Sequence, residues 1–147
     1  MAMATAITSA RSQPLIREEA RMRLFRFDAE VARPIGQYGS EGLGITPITR
    51  LARGGHIVAM WIAPGGHVGA HPAVGPQLFL IIQGVGWVAG SNGAQTPIRA
   101  GQVAYWEDGE RHAAGSPGGM AALVVEGAAL DLTLLNPLAP GEGDAPA

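Results

Sequence analysis

The chain has 147 residues, with 10 basic against 12 acidic side chains and a formal net charge of −2, so its overall charge draws it neither to nucleic acid nor to an anionic membrane. It contains no cysteine, which excludes thiolate catalysis, thiolate-ligated metals and disulfides. Charged residues make up only 15% while glycine (22) and proline (11) are abundant, a composition that interrupts helices and suits turns joining short extended runs.

The length is that of one domain. Residues 1–21 read as a partly disordered N-terminal extension, with a short helix expected over 15–24. They lack the basic start and continuous apolar block of a secretory signal, and no run approaches the roughly 18 apolar residues that span a bilayer. The expectation is a soluble cytoplasmic protein. Extended runs are predicted at 22–28, 45–53, 56–63, 77–82, 86–90, 96–99, 102–106, 120–126 and 130–135, with Gly84-Val85-Gly86 as a turn between strands. Asn92-Gly93 is a strong hairpin signal. A barrel over 22–135 is therefore expected, followed by a flexible Pro/Gly-rich tail over 136–147. The run QLFLII at 77–82 is apolar on both faces, which suits a strand with one side in a barrel and the other against a second sheet or subunit.

Four histidines are present: His56, His67, His71 and His112. Gly65 is followed after five intervening residues by His71, then come Gln77 and Gly84; further on, Gly101 and Gly109 lead to His112. His67 lies four positions before His71, on the same side if alternation holds but about 13 Å away along a strand. His56 opens a strand and reads as structural. Glu107, Glu110 and Arg111 stand on the turn before His112, where a general acid or base could sit, though solvated turn residues are the simpler reading. Phe79, Trp87, Tyr105 and Trp106 are aromatic residues suited to core packing or to lining a ligand pocket.

This double frame resembles the two motifs of the cupin superfamily over roughly residues 43–127. The first motif runs glycine, two histidines, an acidic residue, glycine; the second runs glycine, proline, glycine, histidine, asparagine. Gly65, His71 and Gly84 match the first, and Gly101, Gly109 and His112 match the second. Four positions depart: Ala73 replaces the second histidine, Gln77 the acidic residue, Glu107 the proline and Ser116 the asparagine. The resemblance implies an all-β double-stranded β-helix, a jelly-roll cupin barrel with an interior site. In metal-binding members the motifs supply three histidines and a carboxylate to one ion. What carries over is His71 and His112, with Gln77 as an oxygen ligand, for one divalent transition metal (Fe, Mn, Ni or Zn) or for none. An amide in place of a carboxylate removes charge that would offset the dication, so metal affinity should fall.

Three functions stay open from the sequence. One is a metal-dependent enzyme of dioxygenase or isomerase type acting on a small organic acid. Another is a metal-free module binding a small-molecule ligand as sensor, carrier or accessory protein. The third is a structural barrel acting through a homodimer surface. Homodimerisation is expected in each case, because cupin barrels commonly pair.

Overall fold

The computed structural model describes residues 22–139. Most of the expected helix over 15–24 and most of the expected tail lie outside them. Eight strands form among the described residues: β1 (Arg33–Ile35), β2 (Glu41–Arg50), β3 (Gly55–Pro72), β4 (Gln77–Ala89), β5 (Gln95–Arg99), β6 (Val103–Trp106), β7 (Arg111–Ser116) and β8 (Met120–Gly127). Every pairing is antiparallel.

Two long strands make the barrel. The first half of β3, residues 55–62, pairs with β2 and β8, while its second half, residues 66–72, pairs with β7. The first half of β4 pairs with β6 and β8, and its second half, from Val85, with β5 and β7. The strands thus lie in two facing layers, β1-β2-β3-β8-β4-β6 and β3-β7-β4-β5, joined where β3 and β4 cross from one to the other. Pro64-Gly65-Gly66 marks the crossing in β3. In β4 one extra residue at Ile82 shifts the register against β8, and Gly84 follows with φ +85°. A Cβ there would stand 2.3 Å from the Gly119 carbonyl oxygen, so the crossing needs glycine. Gly84-Val85-Gly86, read from sequence as a turn between strands, is therefore a bend within one strand.

Alternation along these strands fills the interior. Met60 and Ile62 of β3, Phe79 and Ile81 of β4, and Met120, Ala122 and Val124 of β8 are buried in one cluster with Leu43, Val68 and Trp106. Leu78, Leu80 and Ile82 take the opposite side of β4, the leucines partly buried and Ile82 exposed, so the two-sided run sends one face inward and one outward. The hairpin at Asn92-Gly93 joins β4 to β5, with the Asn92 side chain accepting from the Ala94 amide at 2.9 Å.

Three expectations need correction. Residues 22–27 are irregular and not a strand: Met22, Leu24 and Phe25 are at least 80% exposed, with no neighbouring strand to satisfy their backbone. Residues 130–135 form a turn, in which Asp131 accepts from the Thr133 amide and hydroxyl. The stretch Arg111–Ser116, read from sequence only as a motif, is strand β7. No helix among the described residues is long and apolar enough to cross a membrane.

Candidate functional site

The two facing layers leave a cavity of about 200 Å³ at one end of the barrel. On the first layer, strand register aligns four residues side by side: Trp106 opposite Gln77, Gln77 opposite Glu126, and Glu126 opposite His56. On the second layer His71 of β3 stands directly opposite His112 of β7. All six line the cavity, with apolar walls from residues such as Met60, Phe79 and Val124.

A β-bulge brings His71 inward. Between Val68 and His71, β3 advances three residues while β7 advances two, from Ala114 to His112. The extra residue reverses the alternation, so both Val68 and His71 line the cavity although they are three apart. His67, which unbroken alternation would place beside His71, falls on the other side and does not line the cavity. The same bulge contains Gly69, where a Cβ would sit 1.7 Å from the Tyr38 carbonyl oxygen. That close approach docks the short 3₁₀ turn Gln37–Gly39 onto β3, secured by the Gly69 amide donating to the buried Ser40 hydroxyl at 2.9 Å. Tyr38 there adopts φ +59°, the one non-glycine residue with positive φ among the described residues, and its ring stacks on His71 at 4.4 Å and 7°. Unusual backbone of this kind gathers at ligand clamps.

The imidazoles form the centre of an aromatic ladder. His71 and His112 are 4.4 Å apart between ring centres, and Trp106 covers the other side of His112 at 4.4 Å, followed by Phe79 at 5.6 Å from Trp106. Each histidine turns Nδ1 to a backbone carbonyl: His71 to Gly69 at 2.7 Å and His112 to Glu110 at 3.1 Å. A carbonyl only accepts, so Nδ1 carries the proton in the neutral ring and Nε2 presents a lone pair.

Burial pushes the His112 imidazole below its ordinary pKa, and the neighbouring His71 adds to this against the opposing pull of Glu110. The unfolded chain, whose histidines titrate near pH ~6.5, then binds a proton more readily than the fold does. His112 therefore costs no stability above that pH and destabilises the fold progressively as pH falls below it, until its folded pKa is passed. We expect the urea midpoint to drop between about pH 7 and pH 5, with a shallower slope in His112→Gln. Equal slopes in the two proteins would contradict this.

Gln77 is 5% exposed, and its amide orientation is fixed. Its Nε2 donates to Glu126 Oε1 at 2.7 Å, since a carboxylate can only accept. The other Glu126 oxygen lies 3.1 Å from His56 Nε2. Gln77 Oε1 is left buried without a partner, a state that costs about 1–3 kcal/mol. Two further such atoms among the described residues, Thr46 Oγ1 and Trp61 Nε1, do not line the cavity.

Sequence reasoning named His71, His112, Gln77, Phe79 and Trp106, and the structure gathers all five around the cavity. Trp87 and Tyr105 do not line it. Tyr105 alternates with Trp106 and so faces outward, and Trp87 lies across Gly115, where a Cβ would come within 2.6 Å of the indole. Glu107, Glu110 and Arg111 are also absent from the lining; Glu110 accepts from the Glu107 amide at 3.0 Å and shapes the turn. Tyr38 and Glu126 were missed and His56 was read as structural only. For Glu126 a signal existed: Met120, Ala122 and Val124 point inward, and 126 continues their parity.

No family model matches this sequence, and no curated protein matches it. Solved structures do resemble it. A predicted oxalate decarboxylase from Thermotoga maritima is 23% identical, with a TM-score of 0.58 over 69% of this chain and 96% of that one. An uncharacterised protein with a double-stranded β-helix domain from Klebsiella pneumoniae is 22% identical, with a TM-score of 0.57 over 73% and 90%. A cupin superfamily protein from Desulfitobacterium hafniense is 19% identical, with a TM-score of 0.55 over 72% and 98%. The chain has the cupin fold.

Within that fold the four matched glycines, Gly65, Gly84, Gly101 and Gly109, all have positive φ, a backbone conformation that side chains rarely adopt. The donors here fit a resident metal poorly. Ala73 is buried where a second histidine would stand, and both oxygens of Glu126 are engaged. No group of three His, Cys, Asp or Glu able to hold a metal occurs among the described residues. Two imidazoles and an amide number three donors, but the neutral amide lacks the charge that the carboxylate of a two-histidine, one-carboxylate iron site supplies.

Proposed function

We propose that this cupin barrel is a binding module that encloses one small organic molecule, anchored by His71, His112 and Gln77 and covered by Tyr38. The observation that carries the reading is a cavity lined by two imidazoles whose Nε2 atoms are left free by their Nδ1 bonds, and by Gln77, whose buried Oε1 has no partner. Polar atoms kept unsatisfied in an otherwise apolar pocket destabilise the empty protein, and a ligand that pairs with them offsets this.

The rival is a metal-dependent dioxygenase- or isomerase-like enzyme acting on a small organic acid. One observation favours it: the Nδ1 hydrogen bonds leave two Nε2 lone pairs on neighbouring rings, an arrangement that also suits metal-binding histidines. It would need Fe, Mn, Ni or Zn held by these residues.

Thermal melting of the full chain separates the two. A set of single-ring compounds should include some that raise Tm in metal-free buffer, by the equivalent of about 2.7 kcal/mol at a hundredfold excess over Kd. His71→Ala should lose most of that shift. Stabilisation by a divalent ion alone, abolished in both His71→Ala and His112→Ala, would replace the binding module with the enzyme.

A further inference from the structure

Resting on the pocket reading, we infer that the ligand is a single-ring molecule bearing N–H or O–H donors, neutral or cationic, and not a carboxylate. Three acceptors belong to side chains that line the cavity: Nε2 of His71, Nε2 of His112 and the buried Oε1 of Gln77. Each assignment follows from what its other end touches. The Nδ1 atoms face carbonyls of Gly69 and Glu110, and the Gln77 amide nitrogen faces the Glu126 carboxylate. Glu126 thereby determines which end of the Gln77 amide a ligand meets. An incoming anion would find lone pairs where it needs donors.

Charge points the same way. Among the described residues lining the cavity there is no arginine, and the chain has no lysine. Glu126 is the one carboxylate in the lining, with His56 beside it at the half-exposed end. The donors that the lining does contain are the Tyr38 and Ser40 hydroxyls and the Gln37 amide on the covering turn and the Trp106 indole N–H, all uncharged, while His56 Nε2 and Gln77 Nε2 are directed to Glu126. Oxalate, named for one structural neighbour, brings two negative charges and no donor as a dianion. It is unsuited to this lining.

Size limits the ligand to about one ring. An apolar cavity of about 150 Å³ takes up benzene, and the cavity here is about 200 Å³. Trp106, Phe79 and Tyr38 supply aromatic surface around a flat molecule.

Benzamidine, benzoate and toluene are nearly the same shape and differ in what they offer: donors with positive charge, acceptors with negative charge, or neither. Titrations by calorimetry on the full chain at pH about 8, above the ordinary imidazole range, should show benzamidine binding at least about tenfold tighter than either of the others. Gln77→Met, which removes the amide but keeps the bulk, should weaken benzamidine about fivefold or more relative to toluene. Benzoate binding as tightly as benzamidine would overturn the inference, as would toluene matching it or a Gln77→Met protein that binds benzamidine normally; in each case the pocket itself would stand. Failure of all three to bind would remove the pocket reading and this inference together.

Discussion

Trp106→Ala is expected to destabilise the fold by about 3–5 kcal/mol, the range for truncating a large buried aromatic side chain. Trp106 is 4% exposed at the end of the four-residue strand β6. Its indole packs on Phe79 at 5.6 Å and on His112 at 4.4 Å, so the loss reaches both the core and the site. The cavity on its other side already breaks the packing there, which makes collapse around the missing ring harder. A urea series monitored by far-UV dichroism should give a lower midpoint with a similar slope. Trp106→Phe keeps a ring against His112 and should recover a large part of the loss. A cost below about 1 kcal/mol for the alanine protein would mean that β6 contributes little to the barrel and that the aromatic ladder does not hold His112 in place.

The fold was legible because alternation and turn chemistry act locally. QLFLII of β4 and the run MAALVVE of β8 carry their inward residues at every second position, and Asn92-Gly93 specifies a tight connection without outside help. Strand lengths were not legible. Proline and glycines at 64–66 end a strand on local rules, yet β3 continues through them because its second half finds a new partner in β7. That is a long-range event, and no window of sequence contains it.

The site was legible to the extent that it depends on motif spacing. His71, Gln77 and His112 occupy positions that the fold brings to one end, so their spacing was informative. Tyr38 was invisible because what places it there, the Gly69 backbone lying under its carbonyl and bonded to Ser40, is a contact and not a pattern. His67 was misplaced relative to His71 for the same kind of reason: a single extra residue in β3 reverses which face each subsequent side chain takes. Glu126 was overlooked because its role comes from register. It faces Gln77 only because β8 lies between β3 and β4.

That register gives Glu126 an influence on selectivity that exceeds its influence on stability. In Glu126→Gln the shape is kept, but the residue opposite Gln77 can both donate and accept. Gln77 then loses the one constraint that fixes its amide, and its oxygen can accept from the new amide while its N–H turns to the cavity. The cavity gains a donor in place of an acceptor, and it loses its negative charge as well. Benzamidine should weaken, benzoate should strengthen, and their affinity ratio should fall at least about tenfold relative to the unmodified protein. The half-exposed contact with His56 is lost at the same time, but even a charged pair in that setting contributes only about 0–1 kcal/mol. Melting temperature should therefore move little while ligand preference moves a great deal. If Glu126 served the fold alone, the opposite pattern would appear: a lower Tm, with both ligands weakened in parallel and their ratio unchanged.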